Sequence, residues 1–320
     1  MNDAIMIAVI IPCFGVANQI RRTLSGIGPE VKKIYIVDDC CPERTGQLVE
    51  REVCDPRIKV IFNPSNVGVG GAVMAGYECA LADGATILVK LDGDGQMDAS
   101  RIPDLVAPIL AGKADYCKGN RFSRPEDLLS MPWLRILGNA ILSFINKAST
   151  GYWDIMDPAN GFTAVHARVL RQIQFAKLDK GFFFESDMLF RLNLCRAVVR
   201  DVPIAAVYDG EASNLRIAKV IWEFPLKHLR CLVKRIIYRY FVHDFNICSL
   251  EIALGSLLLF FGVVFGGYNW YLSTSSGLAA SGGTVMLSAL PVILGFQLLI
   301  GAAHFDVSNI PKEVQHLQLK

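Results

Sequence analysis

The chain is 320 residues long, enough for one large domain or two smaller ones, and its 32 Lys and Arg nearly balance 30 Asp and Glu. That balance gives no support to a nucleic-acid binder, whose footprint is a strong basic excess. A hydrophobic fraction of 52% and a mean hydropathy of +0.36 exclude a disordered chain and are high for a wholly soluble one.

The surplus apolar residues sit in 247–305, whereas 1–212 has an ordinary globular composition. Nine cysteines form no CxxC pair and no Cys/His cluster at zinc spacing, and scattered, odd-numbered thiols suit a reducing compartment. The apolar run Ile5–Ile11 follows Asp3 rather than a basic segment and leads into Pro12 and Gly15, so it reads as a buried first strand and not as a leader.

Residues 1–212 alternate short apolar runs with amphipathic stretches. Strands are expected at 6–12, 33–38, 58–62, 86–91, 114–118, 161–166 and 197–207, and helices near 17–27, 44–53, 70–82, 99–111, 132–149 and 185–195. This order predicts an α/β domain with a mostly parallel, Rossmann-like sheet, in which ligands bind beyond the carboxyl ends of the strands. Three motifs fall there. Val37-Asp38-Asp39 ends the second strand, where carboxylates can accept hydrogen bonds from a ribose or equally cap the next turn. Asn66-Val67-Gly68-Val69-Gly70-Gly71-Ala72 runs into a helix, and glycines there let backbone N–H groups approach a phosphate or nucleoside. It is no Walker loop, lacking Gly-Lys-Ser/Thr, and Val73 stands where a dinucleotide fingerprint needs its third glycine.

The third motif is Asp92-Gly93-Asp94-Gly95-Gln96, directly after the strand ending at Leu91. Two carboxylates on a glycine turn can share one divalent cation, and magnesium characteristically takes one or two carboxylates plus phosphate oxygens and water. A calcium EF-hand also begins D-x-D, but its required Gly and Glu are here Met97 and Pro103.

Beyond the globular part, Leu226, Leu229, Leu232, Val233, Ile236, Ile237 and Tyr240 fall on one helical arc, with Lys227, His228, Arg230, Lys234, Arg235 and Arg239 on the rest. Such a helix is expected to lie on an anionic membrane surface, with Pro225 separating it from a shorter helix near Leu215. Ile247–Gly266 and Thr284–Phe305 are each long enough to cross a hydrocarbon core of about 30 Å. The segment 267–283 between them has no Lys or Arg, while the stretch before them is rich in both. The positive-inside rule therefore places the large domain and both termini in the cytoplasm of an integral membrane protein. The expected divisions are 1–212, 213–245, 246–305 and a cytoplasmic tail, 306–320.

Ile10-Ile11-Pro12-Cys13-Phe14, Val37-Asp38-Asp39, Asn66–Ala72 and Asp92–Gln96, extended by Lys118-Gly119-Asn120-Arg121-Phe122 and Asn160-Gly161-Phe162, resemble the ordered motifs of family 2 glycosyltransferases with a GT-A fold. The likeness covers roughly residues 5–220 and is strongest to the polyprenyl-phosphate branch. The resemblance implies inverting transfer of a sugar from a nucleotide-diphosphate donor, UDP-glucose first and GDP-mannose second, to a polyprenyl phosphate. It implies Mg2+ or Mn2+ on Asp92, Asp94 and Gln96, and a nucleoside pocket of Pro12, Phe14, Asp38, Asp39, Asn66 and Gly70. Arg121, Arg135, Asn139 and Arg216, with Lys219 nearby, would hold the acceptor phosphate, so Asp92, Asp94 and Arg121 would carry the chemistry. Glu185 and Asp157 match positions that would place the donor sugar or a loop, with a helix cap the other reading of Glu185. The first strand reads Phe14-Gly15-Val16 where the family has Tyr-Asn-Glu, and 212–216 reads Ala-Ser-Asn-Leu-Arg where it is richer in Gly-Ser-Lys.

The rival classes are a non-catalytic membrane scaffold on this fold, a transferase with a different acceptor, a processive polysaccharide synthase and a nicotinamide oxidoreductase. The synthase group has a Gln-x-x-Arg-Trp pattern absent from this sequence. The number of subunits is open, a homo-oligomer included.

Overall fold

The computed structural model describes residues 5–122, 133–158, 160–204 and 217–319. It divides into two units, residues 1–232 together with 311–320, and residues 233–310. In the first, β1 (Ile7–Cys13), β2 (Val31–Asp38), β3 (Ile58–Phe62), β4 (Ile87–Lys90), β5 (Tyr116–Asn120), β6 (Thr163–His166) and β7 (Val199–Pro203) form one sheet in the order β3-β2-β1-β4-β6-β5-β7. All pairings are parallel except those of β6, which runs antiparallel to both β4 and β5. The expected mostly parallel sheet is present, with one reversed strand between β4 and β5. Ala8, Val9, Ile10 and Ile11 are wholly buried. A continuous apolar run is what a central strand covered on both faces requires.

Helices α1 (Ile20–Ser25), α2 (Thr45–Glu52), α3 (Val69–Ala82), α4 (Ile102–Leu110), α5 (Trp133–Thr150), α6 (Ala167–Leu170) and α7 (Phe184–Leu194) connect the strands. Asp98 starts the segment before α4 by accepting from the Ser100 amide at 3.0 Å. The short α6 was not expected from the sequence; His166 initiates it by accepting from the Arg168 amide at 3.2 Å.

Helix α8 (Ile217–Ile236) passes through Pro225 without a break, contrary to the expected separation. Pro225 is exposed, so its ring does not disturb the packed side, where Phe224 and Cys231 meet Phe183 and Phe190. Leu226 and Leu229 are 69% and 55% exposed, whereas His228 is buried with Nδ1 2.8 Å from Ser149 Oγ. His228, expected with the basic residues on the outer face, therefore packs inside.

The C-terminal residues, expected as a tail, belong to the first unit. Asp115 accepts from the Gln315 and His316 amides at 2.9 and 2.8 Å, and Arg168 donates to the carbonyls of His316 and Leu319.

The second unit holds α9 (Ile247–Ser276) and α10 (Gly282–Ser308), both long and apolar enough to cross a membrane. The link between them is 277–281, much shorter than the expected 267–283, because Tyr268, Trp270 and Tyr271 continue α9 until Gly277 ends it at φ 69°. Gly255 and Gly295 bring the two helices together: a Cβ at either would stand within 3.0 Å of the other's carbonyl oxygen. Arg235 and Tyr240, expected on the basic and apolar surfaces, are both buried here. Arg235 forms a two-pronged pair with Asp306 at 2.6 and 2.9 Å, and the Tyr240 hydroxyl donates to the same carboxylate.

Candidate active site

The acidic turn leaves the carboxyl end of β4 between β1 and β6. Gly95 takes φ +74°, which closes the turn, and the Gln96 amide donates to Asp94 Oδ1 at 3.0 Å. Asp92, Asp94 and Gln96 are all partly exposed. Among the described residues, no three His, Cys, Asp or Glu side chains form a closed metal cage. Two carboxylates and an amide on an open turn instead fit a hard cation that completes its shell with phosphate oxygens and water.

Behind the turn lies a buried polar layer that sequence reasoning missed. Lys90, the last residue of β4, has a side chain only 1% exposed; its Nζ is 2.7 Å from Asp92 Oδ1 and 2.9 Å from Glu185 Oε1. Burial alone would pull its pKa down, but the charges of Asp92 and Glu185 outweigh that and hold it above the ordinary lysine value. Lys118 on β5 is also fully buried and donates to the Asn160 carbonyl; burial lowers its pKa to about 8. Thr163 is the register partner of both lysines. The available signal was a lysine interrupting each apolar strand, Ile-Leu-Val-Lys and Tyr-Cys-Lys.

Glu185 therefore does not cap its helix. It faces inward from the first turn of α7 and pairs with Lys90. Asp157 pairs with Arg121, whose Nε and Nη2 reach the two carboxylate oxygens at 2.7 and 3.0 Å, and the Arg121 amide donates as well. The Asp157 side chain is 1% exposed against 30% for Arg121, so the carboxylate is a buried anchor that aims a half-exposed guanidinium. Next to it, Asp201 accepts from the Met156 amide and Asn120 Nδ2 through one oxygen, while the other is buried without a partner; burial raises its pKa to about 6.

The expected nucleoside pocket is built differently from the expectation. Asp38 accepts from the amides of Cys41 and Gly46, both at 2.7 Å. Asp39 accepts from Asn63 Nδ2 and from the Val67 and Gly68 amides at 2.8, 3.0 and 2.9 Å. Both are 3% exposed, and each carboxylate holds a loop through these bonds. The glycine loop is likewise occupied: the Gly70 and Gly71 amides donate to the Lys180 carbonyl at 2.9 and 3.2 Å. A Cβ on Gly70 would lie 2.4 Å from the Asp179 carbonyl oxygen and 2.9 Å from Phe184 Cβ. These glycines are needed for close packing of α3 against the segment entering α7, and the amides at the helix start are not open to a phosphate. Pro12 is half-buried, and Phe14 and Asn66 are exposed.

Arg216 lies outside the described residues. Arg135 and Asn139 are on α5 and Lys219 on α8, but the placement of their side chains is not among the described features.

An α/β sheet carrying an open acidic turn at its strand ends, with a reversed strand beside it, is a GT-A domain. The chain belongs to Glycosyl transferase family 2, whose profile matches residues 8–174, more than half of the chain. It is 29% identical over 219 residues to a polyprenol monophosphomannose synthase of Mycolicibacterium smegmatis, covering 65% of this chain and 82% of the relative. It is 26% identical to the UDP-N-acetylglucosamine–dolichyl-phosphate N-acetylglucosaminyltransferase of Methanococcus voltae, over 72% of this chain and 96% of that one. In fold it is similar to glucosyl-3-phosphoglycerate synthase from Mycobacterium tuberculosis, solved with Mn2+, UDP-glucose and phosphoglyceric acid. That likeness has a TM-score of 0.53 and 15% identity, covering 72% of this chain and 80% of that one.

Proposed function

We propose that this family 2 transferase moves a sugar from a nucleotide-diphosphate donor to a polyprenyl phosphate at the cytoplasmic face of a membrane, with inversion at the anomeric carbon. UDP-glucose is the first donor to test and GDP-mannose the second. The observation that carries the reading is the combination, in one chain, of the open acidic turn with two helices long and apolar enough to cross a membrane. A long prenyl acceptor stays in the bilayer, so its transferase must meet the phosphate there. The relatives named for polyprenol and dolichyl phosphate support the acceptor class.

Asp92, Asp94 and Gln96 would hold Mg2+ or Mn2+, which supplies positive charge to the departing diphosphate. Arg121, fixed by Asp157, presents a partly exposed guanidinium, a group that suits a phosphate. Arg135, Asn139, Arg216 and Lys219 are proposed to join it on the acceptor. A phosphate monoester has a second pKa near 6, so the acceptor is largely dianionic at neutral pH and attacks without a general base. The pairing of Glu185 with Lys90 agrees with this, because that carboxylate is already engaged by an ammonium.

The proposed divisions are 1–212, 213–245, 246–305 and 306–320, and the compact unit of 1–232 with 311–320 supports a catalytic part separate from the hairpin. A chain that leaves this unit and returns to it after two crossings keeps both ends on one side, and the basic residues before α9 make that side the cytoplasm.

The test is transfer from radiolabelled nucleotide sugars to undecaprenyl phosphate in detergent, with magnesium or manganese and with EDTA. Labelled lipid from one donor, abolished by EDTA, is expected. Donor hydrolysis without labelled lipid would move the acceptor to another class. No binding and no turnover with any donor would favour the scaffold.

A further inference from the structure

One ammonium group joins three segments of the site. Lys90 Nζ reaches Asp92 Oδ1 at 2.7 Å, Glu185 Oε1 at 2.9 Å and the Gly161 carbonyl at 3.4 Å. These come from the acidic turn, the first turn of α7 and the loop entering β6. A lysine has three donors, and three acceptors take them. The fit leaves no room: a Cβ on Gly161 would stand 2.4 Å from both Lys90 Nζ and Asp92 Oδ2. Position 161 is therefore glycine because a carboxylate and an ammonium fill the space a side chain would need.

We propose that Lys90 is a positioning residue that sets the charge beside the metal-binding turn, its ammonium shared between Asp92 and Glu185. The proposal rests on the reading of Asp92 and Asp94 as the cation-binding pair and deepens it. Two carboxylates, Asp92 and Glu185, face this one ammonium, so Lys90 offsets part of the negative charge that draws a cation to the turn. Without the ammonium, the uncompensated charges of Asp92 and Glu185 would draw the cation more tightly on their own. With Lys90 present, cation binding is weaker, and the phosphate oxygens of the donor are needed to complete the shell. Lys90 would thus make metal and nucleotide binding mutually dependent.

The sign of the effect separates this from a structural role. Manganese alone is titrated into the full-length protein in detergent at pH 8, and free Mn2+ is read by electron paramagnetic resonance. Lys90→Met is expected to bind manganese on the order of tenfold more tightly, the size of effect that one nearby unit charge has in a partly buried site. Glu185→Gln should bind more weakly by a similar factor. The double variant Lys90→Met/Glu185→Gln restores the original charge and should return to within about threefold of wild type.

A lysine needed only for folding gives another order, with Lys90→Met and the double variant both weaker than wild type, and that result overturns the proposal. Equal affinity in all four proteins overturns it too. If Lys90→Met does not fold, the double variant and Glu185→Gln still decide: wild-type affinity in the double with weaker binding in Glu185→Gln supports the role, and the converse removes it. Wild-type protein that takes up no manganese, alone or with UDP or GDP, would instead overturn the cation-site reading beneath it.

Discussion

Two acidic pairs lie at the ends of β2 and β4, the strands that flank β1, and the structure uses them in opposite ways. Asp38 and Asp39, at the end of β2, are 3% exposed and bind backbone amides of the loops around them. Asp92 and Asp94, after β4, are partly exposed; Asp92 is held by a lysine, and Asp94 accepts an amide from its own turn. In sequence both pairs read as ligand-binding carboxylates. A carboxylate whose oxygens are filled by buried N–H groups shapes a pocket, while one on an open glycine turn can bind a ligand. Substitutions around the first pair should therefore act on stability, and those around the second on turnover.

A combined loss of turnover and stability is expected at Arg121. Arg121→Met should lower transfer on the order of 10²–10³-fold through loss of phosphate stabilisation, and should also lower the melting temperature, because Asp157 is left buried and unpaired. Arg121→Lys restores the charge without the two-pronged geometry, so stability should recover more than turnover. Full activity in the methionine variant would remove Arg121 from the site.

The glycine loop offers the converse. Gly70→Ala places a methyl against the Asp179 carbonyl oxygen and Phe184, and should cost about 2–4 kcal/mol in denaturant unfolding. Gly15→Ala, with φ +70° but nothing within 4 Å, should cost only about 1 kcal/mol from backbone strain. Similar values for the two would show that the α3–α7 contact is looser than described.

The smallest effect is set by pH. Burial lowers the pKa of His166 and His228 to about 4, for His166 with the neighbouring His316 adding to it. Each takes up a proton more readily unfolded than folded, so the folded state loses stability as pH falls from about 6.5 towards 4. Melting temperatures across that range should decline, and His228→Phe should flatten the slope. A slope unchanged by removing either histidine would place the acid sensitivity elsewhere.

Much of the fold follows from periodicity. The strand at 58–62 has the expected limits, and α3, α5 and α7 begin and end within a residue or so of expectation, because burial on a sheet imposes an apolar pattern that local sequence displays. The acidic turn was legible because its chemistry is contained within five residues. The roles of Asp38, Asp39 and Asp157 were not, since they depend on partners such as Gly46, Gly68 and Arg121 that the fold brings close. Helix α8 shows another limit. Its periodicity separates two faces, but only packing on Phe183 and Phe190 reveals that the face with Phe224, His228 and Cys231 turns inward.

The division between the two acidic pairs is tested most directly by measuring lipid-labelling rate and melting temperature on the same preparations of Asp94→Asn and Asp39→Asn. Asp94→Asn is expected to keep the wild-type melting temperature within a few degrees and lose transfer by roughly a thousandfold. Asp39→Asn should unfold at a distinctly lower temperature, as two loop amides and Asn63 lose a charged acceptor. Transfer that survives in Asp94→Asn, with EDTA present, would contradict the assignment of the open turn as the seat of catalysis.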